Sequence, residues 1–519
     1  MQFVPDGPDL PEGLLRSHAD GRLVFFCGAG VSMPAGLPSF RGLVERLYDA
    51  VGTSLDGPET NAFRDERYDG TLQLLERRLP GGRQQLRRQV PVALEPSASA
   101  SASPEAPLDT HVALLQLSQG RDDAPRLVTT NFDRFFHRAA AAAGVRFEEY
   151  VAPRLPIPRA SRWNGVAFLH GLLDENPDAR NLDQLILTSG DFGHAYLVDG
   201  WAARFVGELA REFDLCFVGY SLADPVVRYM MDGLAAERRR GEAGRSAWWF
   251  VAQDNDGAES TAERWQAGGV APILYAPGAD GAHNSLHETL RVWAAAARGG
   301  VSWRARIAEE LGARHPSAST VQDDFAGRLI WAISDPGGVP ANRFADLESA
   351  PTLDWLFEFE RRASVGDVRR DEGGALTSER DVRAARLPAE SADAIAAIAA
   401  ALSRLVPSEG RNEELGAVAW QLARWLTRHL ADPRLLYWVR DRGAVVHGRW
   451  RDFLLAPECD RGEPASAVPE MSGARTSLSQ PVDPHLRALW RATLAGRLAS
   501  GRDVGGYGLA DRQIGRAHV

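Results

Sequence analysis

A glycine-rich turn at residues 28–32, Gly-Ala-Gly-Val-Ser, directly follows the apolar run 23–27 and is the first stretch that could bind a ligand. Glycines let a backbone approach a ligand closely, and free N–H groups at a helix N-terminus favour an anion such as a diphosphate. Ser32 adds a hydroxyl donor. Met33 stands where the usual dinucleotide fingerprint has a third glycine. Taken alone, the turn is more typical of an ordinary connection between a strand and a helix.

Three further segments place polar side chains directly after apolar runs. Residues 129–133 (TTNFD) supply an amide and a carboxylate, residues 168–171 (FLHG) an imidazole, and residues 219–225 (GYSLADP) a hydroxyl. Each has a structural explanation on its own, because Asp133 can cap a helix and a single histidine such as His170 is usually structural. All four segments nevertheless fall at the carboxyl ends of predicted parallel strands, where open α/β sheets bind their ligands.

Seven short apolar runs predict the strands that would position these segments: 23–28, 126–131, 166–171, 185–189, 215–220, 246–254 and 271–276. The runs are continuously apolar rather than alternating, which is typical of parallel strands covered on both faces. Helical patterns lie between them, at 43–51, 132–144, 200–213 and 224–240. The sequence therefore predicts an α/β fold with a Rossmann-like, doubly wound parallel sheet.

Changes in composition divide the chain into regions. Residues 1–298 form the predicted sheet domain, with a helical insertion at 43–108 that ends in a flexible Ser/Ala/Pro loop. Residues 299–455 form a mostly α-helical C-terminal domain rich in tryptophan, which we expect to pack its core and which could regulate the site or form oligomers. Residues 456–519 are interpreted as a linker and an incomplete C-terminal segment, because the last six residues (IGRAHV) match a translated sequencing adapter.

The composition excludes several kinds of chemistry. All 59 basic residues are arginine, so no lysine can serve a P-loop, a Schiff base or a general base. The three cysteines form no CxxC pair, which argues against a cysteine zinc site and fits a reducing, cytoplasmic setting. A net charge of −10 does not favour nucleic acid or a membrane surface as a partner. No apolar stretch approaches the roughly 20 residues of a membrane span.

In their order along the chain, the segments GAGVSMPAGLPSFRG (28–42), TTNFD, LHG and GYSLADP resemble the signature segments of the sirtuin-like (SIR2) NAD-binding domain. The resemblance covers about residues 20–295. It implies that NAD is bound, with its diphosphate held by the first turn: Gly28, Ala29, Gly30 and Ser32. It also implies a loop over the nicotinamide ribose, formed by Pro38, Phe40 and Arg41.

The same resemblance implies roles for the other segments. Thr130 would line the nicotinamide end, and the catalytic group would be Asn131 and Asp133 with His170 as the base. Gly219 and Ser221 would contact the phosphate and adenosine half of NAD. Asp254, or Asn255 beside it, would hold the hydroxyls of the adenine ribose.

Three departures separate the sequence from protein-deacylating sirtuins. It lacks their two zinc-binding CxxC pairs, it has Ser39 where they have an acid, and it has Thr130 where they have glutamine. These features resemble the zinc-free branch found in bacterial antiphage defence proteins, whose members hydrolyse NAD when infection triggers them. The resemblance therefore implies an enzyme without metal, a phage-derived or partner-protein trigger, and a homo-oligomer.

Hydrolysis of NAD⁺ would require neither lysine nor a metal. Breaking the N-glycosidic bond passes through an oxocarbenium-like transition state, so the enzyme must mainly fix the ribose and supply an activated oxygen nucleophile. His170, with an ordinary pKa near ~6.5, can accept a proton, and Asn131 can orient the water. The leading hypothesis is an NAD⁺ hydrolase (NADase) that depletes NAD in antiphage defence. A protein deacylase or ADP-ribosyltransferase, and a non-catalytic NAD- or nucleotide-sensing module, are the alternatives.

Overall fold

The computed structural model describes residues 1–96, 108–120, 123–221, 246–253, 265, 271–278, 282–320, 323–365, 392–407, 414–443, 445–454 and 482–494. The chain divides into two compact units, residues 6–298 and residues 1–5 together with those from 299 onward. Asp254, the helix predicted at 224–240 and most of the segment 456–519 lie outside the described residues.

A parallel sheet forms the centre of the first unit. Its described strands are β1 Leu23–Cys27, β2 Arg126–Thr129, β3 Glu148–Val151, β4 Gly165–Phe168, β5 Asp214–Val218, β6 Ala247–Ala252 and β7 Ala271–Tyr275. Their order is β3-β4-β2-β1-β5-β6-β7, and every neighbouring pair is parallel. From β1 the chain places β2, β3 and β4 on one side of β1, and from β5 onward it places the strands on the other side. The sheet therefore changes side between β1 and β5. The Rossmann-like α/β fold is thus confirmed.

One strand prediction was wrong and one strand was missed, and each has a local reason. Residues 185–189 form no strand, because Thr188 and Asp191 make a capping box that starts a helix there. Strand β3 was not predicted, because it lies at the edge of the sheet and begins with two exposed glutamates. It therefore lacks a continuous apolar run.

The helices of the first unit surround this sheet and fill the insertion. They are α1 Glu12–Ala19, α2 Phe40–Val51, α3 Gly57–Arg64, α4 Tyr68–Arg78, α5 Gly82–Arg87, α6 Val90–Ala93, α7 Asp109–Ser118, α8 Phe135–Ala143, α9 Ala179–Asp183, α10 Ser189–Gly193 and α11 Trp201–Glu212. Helices α2 and α4–α6 share a core with Leu47, Leu75 and Leu86. A π-helical turn, His194–Val198, joins α10 to the loop before α11.

The C-terminal region is mostly helical, as predicted. Helix α12, Asn284–Gly312, is broken at Gly300, and its residues up to 298 belong to the first unit. The other helices of this region are α13 Phe325–Ile333, α14 Val339–Ala345, α15 Asp354–Val365, α16 Ala392–Leu405, α17 Ala417–Thr427, α18 Pro433–Asp441, α19 Gly448–Leu454 and α20 Pro484–Leu494. Trp355, Trp425 and Trp450 are fully buried in one apolar core, and each indole N–H donates to an oxygen of the protein. These tryptophans therefore pack the core. None of the described helices has the length and apolarity needed to cross a membrane.

The first five residues pack within the helical unit. The Phe3 ring meets the Trp331 ring edge-on, with 6.3 Å between their centroids. The Gln2 side chain accepts a hydrogen bond from the Asp324 N–H (3.2 Å), and Arg328 donates to the Gln2 carbonyl (3.3 Å). No pattern in the sequence indicates this placement, because the contacts join positions more than 300 residues apart.

Candidate active site

The turn after β1 and the turn after β5 meet where the strand order reverses. A Cβ atom on Gly28 would lie 2.6 Å from the Gly219 carbonyl oxygen, and one on Gly30 would lie 2.8 Å from the Gly219 Cα. The Gly28 N–H donates to the Val218 carbonyl and the Gly30 N–H to the Gly219 carbonyl, both at 2.9 Å. Only glycine allows two backbones to come this close.

This packing differs from the role expected for the first turn. Two 3₁₀ turns, Ala29–Val31 and Met33–Ala35, follow β1 in place of an α-helix. The N–H groups of Gly28, Gly30, Val31 and Ser32 all donate to backbone carbonyls. The expectation that these amides stay free for a diphosphate is therefore not met in this structure, because each already has an acceptor. The turn offers a ligand close backbone approach at Ala29 and Gly30 instead.

Two adjoining cavities lie at this edge of the sheet, and the first is named here the Asn131 cavity. It has a volume of about 70 Å³. The predicted site residues among its walls are Ala29, Ser32, Pro38, Phe40, Thr130, Asn131, Asp133 and His170. The structure thus brings together the side chains that sequence analysis assigned to the nicotinamide end.

The second is the Ser221 cavity, with a volume of about 500 Å³. The predicted site residues among its walls are Ala29, Gly30, Phe40, Arg41, Gly219 and Ser221. Ala29, Ser39 and Phe40 line both cavities. An elongated ligand could therefore pass from one cavity to the other across the glycine turn.

Arg41 lies away from the position that the resemblance implied for it. It is at the start of α2, where Ser39 accepts a hydrogen bond from the Gly42 N–H, and it pairs with Glu45 at 3.1 Å. Its guanidinium lies over the Phe63 ring and lines the Ser221 cavity, whereas Pro38 and Phe40 line the Asn131 cavity. Only part of the predicted ribose loop therefore faces the nicotinamide end.

A hydrogen-bond network holds Asn131 in the wall of its cavity. The Asn131 Nδ2 donates to the Gly28 carbonyl (3.1 Å) and to the Ser32 Oγ (3.0 Å). The Ser32 hydroxyl donates to Asp133 Oδ2 at 2.8 Å, and Asp133 Oδ1 accepts from the Phe135 N–H at 2.9 Å. Both Asn131 amide hydrogens are thus used, so the group it can offer a ligand is the acceptor Oδ1.

The Asp133 carboxyl has an unusual electrostatic environment. Burial raises its pKa above the ordinary value of 3.8, against the opposing effect of its hydrogen bonds to the Phe135 N–H and the Ser32 hydroxyl. No basic side chain among the described residues pairs with it. A carboxylate in this position favours a ligand that carries positive charge.

His111 on α7 belongs to the same cluster and was missed by sequence analysis. Its Nε2 lies 3.2 Å from the Ser32 Oγ. The set Ser32, His111 and Asp133 has the residue types of a nucleophilic triad but not its connectivity, because the carboxylate bonds to the serine while His111 Nδ1 is buried without a partner. The only signal in the sequence was one histidine next to the apolar run 112–115 of this helix.

His170 follows β4 and is almost completely buried. Its Nε2 lies 3.1 Å from the Tyr196 hydroxyl, and the Phe192 ring meets it edge-on. Burial lowers its pKa from 6.5 to about 3, which corrects the expectation of an ordinary value. The imidazole is therefore neutral at physiological pH and able to accept a proton, although as a weak base.

A metal-binding arrangement is not found in the described parts of the chain, where no group of three or more histidine, cysteine, aspartate or glutamate side chains is suitably placed. Residues 125–273 match the family described as the SIR2-like domain. This match extends from just before β2 into β7 and includes Asn131, His170 and Gly219.

The sequence is also similar to a bacterial relative of unknown activity. An uncharacterized protein, y4cA, of Sinorhizobium fredii (strain NBRC 101917 / NGR234) is 36% identical over 292 residues. The aligned region is 55% of this chain but only 23% of that protein. The chain therefore spans less than a quarter of the length of this relative.

Proposed function

We propose that this chain, which contains a SIR2-like domain, hydrolyses NAD⁺ to ADP-ribose and nicotinamide. The observation that carries the proposal is the convergence of Asn131, Asp133 and His170 on one cavity at the carboxyl ends of the strands. SIR2-like domains use NAD as a substrate. The nicotinamide riboside half would occupy the Asn131 cavity, the diphosphate would cross Ala29 and Gly30, and the adenosine half would occupy the Ser221 cavity.

The charge of Asp133 supports this orientation of NAD⁺. The nicotinamide ring of NAD⁺ is a cation, and the carboxyl has no cationic partner among the described residues. Binding the pyridinium there would stabilise the ionised carboxylate, and the carboxylate would go on to stabilise the positive charge that develops on the ribose.

The chain's own groups can complete a hydrolysis in which atoms and charges balance. The N-glycosidic bond breaks with its electron pair going to nicotinamide, which leaves as a neutral molecule and requires no proton. Asn131 Oδ1 would orient a water molecule that attacks the ribose carbon, and neutral His170 would take the proton that this water loses. A weak base suffices, because the oxocarbenium-like carbon is a strong electrophile.

The biological role forms a further part of the proposal. On the resemblance to the zinc-free defence branch, NAD depletion would halt phage propagation, and a phage-derived or partner protein would trigger a cytoplasmic homo-oligomer. The tryptophan-rich helical unit would restrain or assemble the enzyme.

The test is nicotinamide release from NAD⁺ by the full chain, measured beside His170→Ala and Asn131→Ala. We expect each substitution to lower the rate by roughly 10²- to 10⁴-fold, since each removes a group acting on the nucleophile. His429→Ala is the matched control, because His429 is a buried histidine of the helical unit whose Nε2 bonds to the Pro351 carbonyl at 2.8 Å.

Three outcomes would contradict hydrolysis at this site. If calorimetry shows tight NAD⁺ binding but no nicotinamide is released, the chain would be a sensing module. Release that depends on an acylated peptide or a protein acceptor would indicate a transferase or deacylase. Equal rates for His170→Ala and the control would remove His170 from the mechanism.

A further inference from the structure

We propose that Tyr196 is a positioning residue that fixes the tautomer of His170 by accepting the Nε2–H, which leaves Nδ1 as the base. This inference rests on the proposed function, and it concerns a residue that the motifs of the sequence do not include.

Tyr196 contacts His170 but does not face the cavities. Its hydroxyl oxygen lies 3.1 Å from His170 Nε2, and the two rings meet nearly perpendicular with centroids 6.2 Å apart. Tyr196 is buried and is not among the wall residues of either cavity. Its hydroxyl therefore reaches the site through His170 and not by lining a cavity.

The acceptor role of Tyr196 follows from the chemistry of a neutral imidazole. One ring nitrogen carries the hydrogen and the other is the acceptor, and the bond made by one nitrogen decides the state of the other. If Tyr196 donated to Nε2, Nδ1 would carry the hydrogen and could not take a proton from water. If Tyr196 accepts, Nδ1 is free to take it, and the same hydrogen bond strengthens when the ring becomes an imidazolium.

The segment that carries Tyr196 is held by side-chain contacts on its N-terminal side. Tyr196 lies in the π-helical turn His194–Val198, a type of turn that occurs often at functional sites. Just before it, Asp191 accepts hydrogen bonds from the Leu187 and Thr188 N–H groups and pairs with Arg83 and Arg87 of α5. The helical insertion thereby fixes the turn that presents the tyrosine to His170.

Charged groups near His170 influence its pKa independently of Tyr196. The carboxylate of Asp191 raises the pKa of His170, and Asp191 is itself paired with Arg83 and Arg87. Asp133 lines the same cavity. A Tyr196→Phe substitution leaves these groups in place, so a change in the titration of His170 would report on the lost hydroxyl.

The experiment compares the full chain with its Tyr196→Phe variant and with Tyr150→Phe as the matched control. Tyr150 loses the same hydroxyl, but its partner is Glu148 on β3 and it lines neither cavity. We expect Tyr196→Phe to lower kcat roughly tenfold with KM nearly unchanged, because the imidazolium loses an acceptor and the tautomer of His170 is no longer fixed. The control should retain the wild-type kcat and KM.

A second measurement does not depend on activity. Nitrogen-15 NMR of histidine-labelled protein, with His170 assigned from a His170→Gln sample, should show the hydrogen on Nε2 in the wild type. A wild-type hydrogen on Nδ1, or a kcat of Tyr196→Phe equal to that of the control, would overturn the inference. If the wild type releases no nicotinamide, the proposed function fails. The NMR measurement still shows whether Tyr196 accepts the Nε2–H of His170.

Discussion

Two aspartates that cap helices show how differently the two units use the same residue type. Asp133 accepts the Phe135 N–H at the start of α8, and Asp324 accepts the Gly327 N–H at the start of α13. Asp324 also pairs with the buried Arg362, which holds its pKa below the ordinary value against the effect of burial. Asp133 has no such partner in the described structure, and burial raises its pKa.

The difference separates a structural carboxylate from the one that we propose binds a ligand. In the helical unit, buried charge is neutralised within the fold, as the Asp324–Arg362 and Arg424–Asp346 pairs show. At the edge of the sheet, the Asp133 carboxyl lies beside a cavity with no cationic partner among the described residues. A local capping pattern cannot distinguish the two, because the decisive partner comes from elsewhere in the chain.

The largest difference that we expect between the two units is the pH at which each one loses stability. Burial lowers the pKa of four histidines of the first unit from its ordinary value of 6.5. The pKa falls to about 4 for His18 and His287, and to about 3 for His111 and His170. The unfolded chain binds protons at these groups more readily than the folded chain, so stability is complete above pH 6.5 and is lost as the pH falls from there towards 3. Each group contributes at most about 1.4 kcal/mol per pH unit, so the sum amounts to several kcal/mol.

The helical unit should lose less stability in the upper part of this range, because His429 is the one described histidine there whose pKa burial lowers. Its paired carboxylates, Asp324, Glu358 and Asp432, have lowered pKa values, so their stabilisation is present above the unfolded values of 3.8 to 4.5 and is lost below them. Hydrogen exchange of the full chain between pH 7.5 and pH 4.5 should therefore show residues 6–298 losing protection first. Earlier loss in the helical unit would contradict this assignment.

The different roles of Asp133 and Asp324 can be tested by replacing each aspartate with asparagine. Asp324→Asn should lower the free energy of unfolding by about 3 kcal/mol, because it leaves Arg362 with an incomplete partner set. Asp133→Asn should change the free energy by less than about 1 kcal/mol but weaken NAD⁺ binding. Urea unfolding and calorimetric titration of both variants measure the contrast, and a similar loss of stability in both would remove it.

A smaller effect is expected at the glycines. Gly30→Ala would force its Cβ against the Gly219 backbone and should cost about 1 kcal/mol or more, with impaired NAD⁺ binding. Gly207→Ala, within α11 and with open space around its Cβ position, should raise stability by up to about 1 kcal/mol. Thermal unfolding with and without NAD⁺ compares them. Unchanged stability and binding in Gly30→Ala would show that the two turns can separate at no cost.

The sequence predicted those site residues whose positions depend on neighbouring segments of the chain. Asn131, Asp133 and His170 each follow a buried strand directly, so placing the strands placed the side chains at one edge of a parallel sheet. Tyr196 and His111 could not be found this way, because they reach the site from helices and no strand end marks them. The bonded amides of the glycine turn and the low pKa of His170 likewise depend on long-range packing.

The docking of residues 1–5 on the helical unit has a consequence for the order of events during synthesis. Gln2 and its partner Asp324 are 322 positions apart, so residues 1–5 wait during synthesis for contacts with a segment that is made much later. At about 5 to 20 residues per second, this interval is on the order of tens of seconds. Meanwhile the unit formed by residues 6–298 can fold, and Met1, Phe3 and Val4 keep apolar side chains exposed that the finished protein buries. During that interval these apolar side chains would be accessible to a chaperone that binds nascent chains.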